Sequence, residues 1–417
     1  MSGNIQMRVL ILSHYCHPEP IPKPMQMAQE LIRRGHTASI LTGFPNYPSG
    51  RLYRGYGLGA VKREVIDGVL ITRSFMFPYH GKKVIGRLMN YASFMVSAVL
   101  GSLFTPPCDV IYVWHPPLTV GVAAWLIGRL RQVSFVYDVQ DIWPESAVLS
   151  GILKEGRLVR LMHYLERFVY RKARHIFVVT DGARKNLIGK GVDPDKISVM
   201  PHWVDDSQFA ETDKADRKKI RQQYGWGESF VLLFAGNIGM VQGLDTLLFA
   251  TREFSSNDKF LFVLIGDGSD KKRLQIMSKS MGLEDKLQFI RRQPAGTMPA
   301  FMAASDALLV HLKRSKLSRY VIPTKTLSYL AAGKPIILAM DGAAAQLLKE
   351  AGAGMVVPPE RPTELASAIR ALADMTASQR NKMGQLGREY AMSNLSKTKV
   401  IPMYEAILQR AVTTYKS

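Results

Sequence analysis

The 417-residue sequence predicts an α/β protein of two Rossmann-like domains, each built on a parallel sheet. Its length exceeds what one hydrophobic core usually serves, and two domains of roughly 200 residues fit common domain sizes. Short apolar runs alternate with helical patterns through both halves, which is typical of parallel sheets. Glycine-containing turns follow strands in the second half, as in nucleotide-binding domains.

The first half opens with a strand at 8–13, a helix at 25–34 and a strand at 37–42. The apolar residues of this helix recur at helical spacing, so the three elements form a βαβ unit. Further strands are predicted at 69–73, 110–113, 135–138, 175–179 and 197–200.

The second half repeats the pattern, with strands expected near Phe230, Phe260, Leu287, Ala307, Pro335 and Met355. We therefore predict a first domain at 1–205 and a second at 206–395, joined near 205–210. A final helix at 396–417 is expected to return to the first domain.

Basic residues outnumber acidic ones by 55 to 34, a net charge of +21. The excess is spread over both halves. Residues 1–205 contain 25 Lys and Arg against 14 Asp and Glu (+11), and the remaining residues contain 30 Lys and Arg against 20 Asp and Glu (+10). There is no basic tail and no nucleic-acid-binding motif, so nucleic acid is not expected as a partner. A diphosphate substrate or an anionic membrane explains the charge better.

Compartment signals favour the cytoplasm. Cys16 and Cys108 show neither metal-ligand spacing nor a disulfide framework, so a reducing environment is expected. The apolar run 7–13 is too short for a signal peptide and has no cleavage pattern.

An uncharged stretch at 88–105 leaves three interpretations open. Its length permits a membrane span, but serines, glycines and Asn90 dilute its apolar character. Helical spacing suits a helix packed on a sheet or lying at a membrane interface. Basic runs at 51–87 (+6) and 154–190 (+7) are either solvated faces or contacts to anionic lipid. We predict docking on an anionic membrane surface.

Three segments of the second half predict a site for a nucleotide diphosphate. Gly236–Gly243 and Gly266–Gly268 each follow an apolar strand, and 323–325 (Pro-Thr-Lys) opens a helix. Glycines at such turns let phosphate oxygens approach backbone N–H groups, and a helix N-terminus favours negative charge. No Asp-x-Asp pair of the metal-dependent type occurs, so no metal and no cofactor are expected.

Segments 234–239 and 323–335 resemble the donor domain of family 4 of the retaining GT-B glycosyltransferases. Segments 43–48, 114–117, 138–145 and 201–205 are similar to the WbuB-like group of that family, which assembles O-antigen and exopolysaccharide. The resemblance implies two Rossmann-like domains facing across a cleft. The first would bind the acceptor and the second a nucleotide-diphosphate sugar, without metal and with retention of the α-linkage.

The resemblance also implies the donor-binding residues. They are Gly236, Asn237, Gly239, Gln242, Gly266, Thr324, Lys325 and Ser328. Lys325 is the strongest candidate for a diphosphate contact, since its ammonium can reach a phosphate at the helix start.

This chain departs from the family pattern at several of those positions. Relatives often carry Arg and Lys where Asn237 and Gln242 stand, so charge must come from Lys325, Lys313 or Arg319. The paired glutamates of the family correspond to Tyr320 and Ser328, and neither residue is acidic at neutral pH.

For the acceptor side, Asp141, Glu145 and His115 are the candidate catalytic residues. Asp141 follows a strand at the carboxyl edge, where open sheets bind ligands. Asp141 or Glu145 could orient or deprotonate the acceptor hydroxyl if burial raises its pKa. A helix cap for Asp141 and a structural role for His115 remain open.

The resemblance thus implies a retaining transferase that moves a sugar, expected to be a UDP-linked hexosamine, onto a polyprenyl-diphosphate-linked saccharide. It would work as a peripheral protein on the cytoplasmic face of the membrane. A soluble acceptor is one alternative. Another is a catalytically weakened nucleotide-sugar-binding protein, which the residues at 320 and 328 motivate.

Overall fold

The computed structural model describes residues 6–81, 83–149, 153, 156–209, 214–255 and 258–416. The chain divides into two compact units, residues 1–201 with 400–417, and residues 202–399. Each unit contains its own largely or wholly parallel sheet, which confirms the predicted class of two Rossmann-like α/β domains. Lys82, Lys154 and Ala210, which the predicted basic runs and linker include, lie outside the described residues.

The first unit carries an eight-stranded sheet in the order β3-β4-β2-β1-β5-β6-β7-β8. All neighbouring pairs are parallel except β3 with β4. The strands are β1 (Arg8–Ser13), β2 (Thr37–Gly43), β3 (Val61–Ile66), β4 (Val69–Ser74), β5 (Val110–Trp114), β6 (Ser134–Val139), β7 (His175–Val178) and β8 (Ile197–Val199).

Helices connect these strands as the alternating pattern predicted. They are α1 (Lys23–Arg33), α2 (Val84–Gly101), α3 (Thr119–Arg131), α4 (Glu145–Leu149), α5 (Arg157–Lys172) and α6 (Asp181–Gly189). Proline at the start of α1 fits its first turn, where a backbone N–H is not needed.

The second unit carries a six-stranded parallel sheet in the order β11-β10-β9-β12-β13-β14. The strands are β9 (Phe230–Ala235), β10 (Phe260–Ile265), β11 (Leu287–Ile290), β12 (Ala307–His311), β13 (Ile336–Ala339) and β14 (Gly354–Val357). The helices are α7 (Lys214–Gln223), α8 (Asp245–Thr251), α9 (Lys271–Ser280), α10 (Met298–Ala304), α11 (Thr324–Ala331), α12 (Ala343–Ala351), α13 (Pro362–Asp374) and α14 (Ala377–Tyr390).

Both faces of this second sheet are buried. Val231 and Leu233 of β9 belong to one hydrophobic cluster, whereas Leu232 and Phe234 belong to another. A strand buried on both faces reads as a continuous apolar run, which is why β9 was recognisable from its sequence.

The last helix, α15 (Lys397–Lys416), packs against the first unit from Val400 onward. Glu405 accepts a hydrogen bond from Nε2 of His36 at 2.9 Å and forms an ion pair with Arg34. Oγ of Ser134 donates to the carbonyl oxygen of Ala411 at 3.0 Å. These contacts join residues about 280 to 370 positions apart in the chain.

The sequence-based prediction missed β3, an antiparallel edge strand. The residues of β3 are all half-buried or exposed, and the charged run of Lys62, Arg63 and Glu64 resembles a solvated loop. The other predicted strands are present within about two residues of their bounds.

Candidate active site

Two glycine turns meet at the carboxyl edge of the second sheet. The N–H of Gly236, just after β9, donates to Ile265 at 2.9 Å, and the N–H of Ile238 donates to Asp267 at 2.9 Å. The loop after β9 and the loop after β10 therefore form one continuous backbone surface.

Glycine is required where these loops touch. A Cβ built on Gly266 would lie 1.9 Å from the carbonyl oxygen of Gly236, and its φ of 147° disfavours other residues. A Cβ on Gly268 would lie 2.2 Å from the carbonyl oxygen of Ile238. Any side chain at either position would separate the two loops.

The first loop presents free hydrogen-bond donors. In the part of the chain that the structure describes, the backbone N–H groups of Asn237 and Gly239 have no hydrogen-bond partner. Gly236 and Asn237 are exposed, whereas Gly239 is buried. Unpaired backbone N–H groups at a glycine turn are a common arrangement for binding phosphate oxygens.

Lys325 places its ammonium beside this loop. Its Nζ lies 2.8 Å from Oε1 of Gln242 and 3.7 Å above the ring centroid of Phe234. It would also lie 3.3 Å from a Cβ built on Gly236. Burial lowers the pKa of Lys325 to about 7. Among the described residues no carboxylate forms an ion pair with it, so its charge is available to an anion.

The other end of the loop is fixed by His311. Its Nδ1 lies 2.6 Å from the carbonyl oxygen of Gln242, and its Nε2 faces the N–H of Glu360 at 3.5 Å. This pattern places the ring proton on Nδ1, and burial lowers the pKa of His311, so the ring is neutral. A Cβ on Gly243 would lie 3.0 Å from this ring, which explains the glycine at that turn.

Helix α11 is attached to the end of β9 through Tyr329. Its hydroxyl accepts from the N–H of Ala235 at 2.8 Å and lies 3.2 Å from the carbonyl oxygen of the same residue. Thr324 is exposed in the first turn, and Ser328 is half-buried with a single contact of 3.5 Å to the carbonyl of Thr324. Of the predicted donor residues of α11, the structure brings Lys325 against the glycine loop.

Three residues were named as sources of the missing positive charge, and the structure distinguishes among them. Only Lys325 contacts Gln242. The side chain of Lys313 packs against Gly243, since its Cγ would lie 2.8 Å from a Cβ built on that glycine. Arg319 is exposed in the short helical turn Lys316–Arg319. Tyr320 directly follows this turn.

Asp267 and Asp270 each have a basic partner. Lys271 contacts Asp267 at 3.0 Å and lowers the pKa of that carboxyl. Asp270 precedes α9 but does not cap it with its side chain; its carboxylate binds Arg273 at 2.6 and 2.8 Å instead.

In the first unit, His115 lies at the carboxyl end of β5 and Asp141 follows β6. His115 is buried, its Nδ1 has no partner among the described residues, and burial lowers its pKa to about 3. The imidazole is therefore a neutral hydrogen-bonding group and a poor proton acceptor. Burial raises the pKa of the half-buried Asp141, which favours Asp141 as the base of this pair.

Glu145, a predicted candidate on the acceptor side, belongs to an ion-pair cluster. Its Oε1 lies 2.6 Å from Nζ of Lys190, which also contacts Glu166 at 2.6 Å. Glu145, His163 and Glu166 offer ligand atoms within 4.8 Å of one another, a spacing that suits a metal ion. Because the ammonium of Lys190 already bridges both carboxylates, we interpret the cluster as an ion-pair network and Glu145 as structural.

Sequence reasoning missed the aromatic character of the first unit's carboxyl edge. Ring centroids of His14 and Tyr15 lie 4.5 Å apart, those of Tyr15 and Tyr47 5.0 Å, and those of Tyr47 and His80 4.7 Å. His14 and Tyr15 follow β1, Tyr47 follows β2 and His80 follows β4. The signal in the sequence was the clustering of Tyr and His just after β1, β2 and β4.

Comparison with known proteins identifies both units. Residues 23–203 match the model described as "Glycosyl transferase 4-like domain", and residues 216–390 match "Glycosyl transferases group 1". WcaI of Escherichia coli (strain K12), a glycosyl transferase named for colanic acid biosynthesis, is 25% identical over 394 residues, 91% of this chain and 93% of the relative. The glycosyltransferase WbjE of Pseudomonas aeruginosa is 28% identical over 341 residues, which are 80% of this chain and 82% of WbjE.

Solved structures agree on the fold. HepE of Anabaena, in complex with UDP and glucose, matches 97% of this chain and 100% of its own with a TM-score of 0.74 at 18% identity. WaaG, a glycosyltransferase involved in lipopolysaccharide biosynthesis, matches with a TM-score of 0.66 at 16% identity. The match covers 96% of this chain and 99% of the WaaG chain.

Proposed function

Since the chain is a glycosyltransferase of the GT-B fold, with a 4-like domain followed by a group 1 domain, we propose that it transfers a sugar in polysaccharide assembly. The donor is a nucleotide-diphosphate sugar, of the UDP-hexosamine type, and the acceptor a polyprenyl-diphosphate-linked saccharide. The linkage configuration is retained, as in the WbuB-like enzymes that the sequence resembles. The similarity to WcaI, which is named for colanic acid biosynthesis, supports a role in polysaccharide assembly.

One observation carries the donor assignment. The free N–H groups of Asn237 and Gly239 and the ammonium of Lys325 belong to one loop region, and none is neutralised by a carboxylate among the described residues. A departing diphosphate needs electrostatic stabilisation, which is usually the largest contribution to catalysis of this kind. Lys325 supplies that charge without requiring a metal.

Lys325 also explains how the chain functions with neutral residues at 237 and 242. Family relatives often carry a basic side chain where Gln242 stands, and here the amide oxygen of Gln242 holds the ammonium that reaches over from α11. The positive charge is thus supplied from another element at nearly the same place.

The acceptor side rests on Asp141, with His115 as a neutral hydrogen-bonding group. Both lie at carboxyl ends of neighbouring strands, β6 and β5, where parallel sheets bind ligands. In the reaction we propose, Asp141 orients the acceptor hydroxyl and accepts its proton. The acceptor oxygen bonds to the anomeric carbon of the donor sugar on the face that the diphosphate leaves, and the bond from that carbon to the phosphate oxygen breaks, so that this oxygen leaves with the nucleoside diphosphate.

Helix α2 supports attachment to a membrane because its apolar face points outward. It buries Gly86, Asn90, Phe94, Ala98 and Gly101, of which only Phe94 is a large apolar residue. It exposes large apolar ones: Ile85, Met89, Val96 and Leu100 are 50 to 71% exposed. A helix that hides its small side and presents its apolar side to the outside fits an interfacial position. We name the exposed side chains of Ile85, Leu88, Met89, Val96, Leu100, Leu103 and Phe104 the apolar stripe.

A membrane span is the alternative, since the segment Val84–Phe104 is long and apolar enough, with a mean hydropathy of 1.3 and 28% of the window buried. Contacts of its polar residues argue for the interface. Asn90 donates to the carbonyl of Phe77 at 2.6 Å, Ser93 accepts from the N–H of Phe77 at 2.9 Å, and Ser97 donates to the carbonyl of Phe75. A span would have to break all three bonds.

A nucleotide-sugar-binding protein with weakened catalysis is the second candidate function, and the residues Tyr320 and Ser328 favour it. Ser328 offers one hydroxyl where the family has a carboxylate, and its single contact of 3.5 Å leaves it free for a ribose. A soluble acceptor is a further alternative, which loss of membrane binding without loss of transfer would support.

A panel of nucleotide sugars tests the proposal. The protein would be screened by thermal shift with UDP-, GDP- and dTDP-sugars, and the donor that stabilises it most then incubated with lipid-linked acceptors and with free oligosaccharides. We expect stabilisation by one nucleotide class and sugar transfer to the lipid fraction, unaffected by a chelator. Donor binding without transfer to any acceptor would favour the binding-protein alternative.

A further inference from the structure

The side chain of Glu19 joins two loops of the first unit. Glu19 lies in the loop after β1 and is 3% exposed. Its Oε1 accepts hydrogen bonds from the backbone N–H groups of Asn46 and Tyr47, in the loop after β2, both at 2.8 Å. Its Oε2 accepts from the N–H of Cys16, in its own loop, at 2.9 Å. One buried carboxyl group therefore satisfies three backbone donors, which would otherwise be costly to bury.

Few other contacts connect these two loops. In the part of the chain that the structure describes, no backbone–backbone hydrogen bond links residues 14–22 with residues 43–50. The buried guanidinium of Arg73, on β4, forms a second brace, since it donates to the carbonyl oxygens of His17 at 2.6 Å and of Gly43 at 3.4 Å. Arg73 holds the base of the second loop, at the end of β2, whereas Glu19 holds the part of it that lies beyond the strand.

The bonds of Glu19 end at two tyrosines. One of them is made by the N–H of Tyr47 itself, and another by Cys16, the residue next to Tyr15. The two ring centroids lie 5.0 Å apart, with the ring planes at 39° to each other. Both side chains are half-buried, and among the described residues neither hydroxyl forms a hydrogen bond. Glu19 thus fixes the separation of two rings whose polar ends are unused.

These tyrosines lie along the edge where the acceptor is proposed to bind. Strand β1 pairs with β2 on one side and with β5 on the other, and β5 pairs with β6. The loops at this carboxyl edge therefore carry Tyr47, Tyr15, His115 and Asp141 in that order. A tyrosine offers an apolar ring face and a hydroxyl that both donates and accepts, which suits the C–H face and the hydroxyl groups of a sugar.

We infer that Glu19 is a positioning residue for the acceptor: by bridging the loops after β1 and β2, it holds Tyr15 and Tyr47 in the arrangement that receives a sugar of the acceptor saccharide. Glu19 is buried and acts through the two loops, without touching the substrate itself. The inference rests on the proposed function, since it concerns how the acceptor of that reaction is bound.

Acceptor kinetics of Glu19→Gln test the inference. Transfer of label from the nucleotide sugar that stabilises the protein best would be measured over a range of concentrations of membranes carrying polyprenyl-diphosphate-linked saccharide. The glutamine keeps one oxygen and replaces the other with an amide N–H₂, so at least one backbone donor loses its partner. We expect the apparent KM for the acceptor to rise about tenfold, as for one unsatisfied buried donor. The KM for the donor, the UDP affinity and kcat at saturating acceptor should change less than twofold.

Asp109→Asn is the matched control, because it makes the same chemical change at the amino edge of the same sheet. Asp109 accepts the backbone N–H of Arg8 at 2.9 Å and forms an ion pair with its guanidinium at 2.8 Å. This variant should leave the KM for the acceptor within twofold of the wild type, even where its melting temperature falls. A general loss of stability in the first unit would instead affect both variants alike.

A double-mutant cycle shows whether Glu19 acts through Tyr47. Tyr47→Ala alone should raise the KM for the acceptor, and adding Glu19→Gln should raise it little further, because the ring that Glu19 positions is already gone. Where Glu19→Gln lowers the UDP affinity, and so has lost more than the loop contact, Glu19→Asp takes its place. It keeps both carboxyl oxygens at a shorter reach, and the same rise in the KM for the acceptor is expected.

An unchanged KM for the acceptor in Glu19→Gln would overturn the inference. Equal changes in Glu19→Gln and Asp109→Asn, or fully additive effects with Tyr47→Ala, would overturn it as well. These three outcomes leave the proposed transferase standing, because the wild type still transfers sugar in each of them. Absence of transfer by the wild type to any acceptor would instead remove the proposed function, and this inference with it.

Discussion

Binding of the donor is predicted to take up a proton at Lys325. In the free protein this ammonium faces a neutral amide and an aromatic ring, and burial lowers its pKa to about 7. A bound diphosphate would stabilise the charged form and raise the pKa toward the ordinary value of about 10.4. The charge that holds the donor is therefore only partly present before the donor arrives.

The size of the effect follows from these values. At pH 7 about half of the free protein carries the charge, so binding takes up about 0.5 proton, rising to about 0.9 at pH 8 and falling to about 0.1 at pH 6. The free-state pKa is the lower one, so affinity is constant well below pH 7. Above pH 7 it declines by up to about tenfold per pH unit.

Calorimetry in two buffers of different ionisation enthalpy measures this uptake directly. The ligand should be an intact nucleotide sugar, because the terminal phosphate of free UDP titrates near pH 6 and would obscure the result. Lys325→Met should abolish the uptake and weaken binding about tenfold to 100-fold, the loss of a charge-assisted contact. A proton uptake that persists in Lys325→Met, or none at pH 8 in the wild type, would refute the assignment of this residue.

Three further outcomes are expected. The pair Gln242→Lys with Lys325→Gln should recover much of the affinity that Lys325→Gln alone loses, as measured by the same calorimetry; no recovery would show that the position of the charge is not what matters. Val96→Glu with Leu100→Glu should lower sedimentation with anionic vesicles at least tenfold, since each apolar side chain contributes about 1.5–3 kcal/mol when buried, while UDP binding stays unchanged; unaltered sedimentation would exclude the apolar stripe. Ser328→Glu should preserve or modestly tighten UDP binding through a stronger ribose contact, and a tenfold loss would mean that the pocket is built around the serine.

The fold was largely predictable because buried parallel strands leave continuous apolar runs. β9 and β10 are such runs, and each is followed directly by a glycine turn. β3 was not predictable, because as an antiparallel edge strand its charged residues resemble those of a loop.

The candidate site was predictable in its parts but not in its pairings. Gly266 and Lys325 could be named from their local motifs, yet the contact between Lys325 and Gln242 joins residues 83 positions apart and depends on how α11 lies against β9. The ion pair of Glu145 with Lys190 was not predictable for the same reason, since the two residues are distant in the sequence. Likewise Asn90 looked like a defect in an apolar stretch, whereas it binds His14 at 2.7 Å on the buried side of α2.

Sugar transfer itself tests the central claim most directly. The purified protein would be incubated with the radiolabelled nucleotide sugar that stabilises it best and with membranes carrying polyprenyl-diphosphate-linked saccharide, and label in the lipid fraction counted for the wild type and Lys325→Met. We predict label in the lipid fraction with the wild type, an α-linked product by NMR, and about 100-fold slower transfer with Lys325→Met. Tight donor binding without any labelled lipid would contradict the proposed function, and equal transfer by both proteins would contradict the role of Lys325.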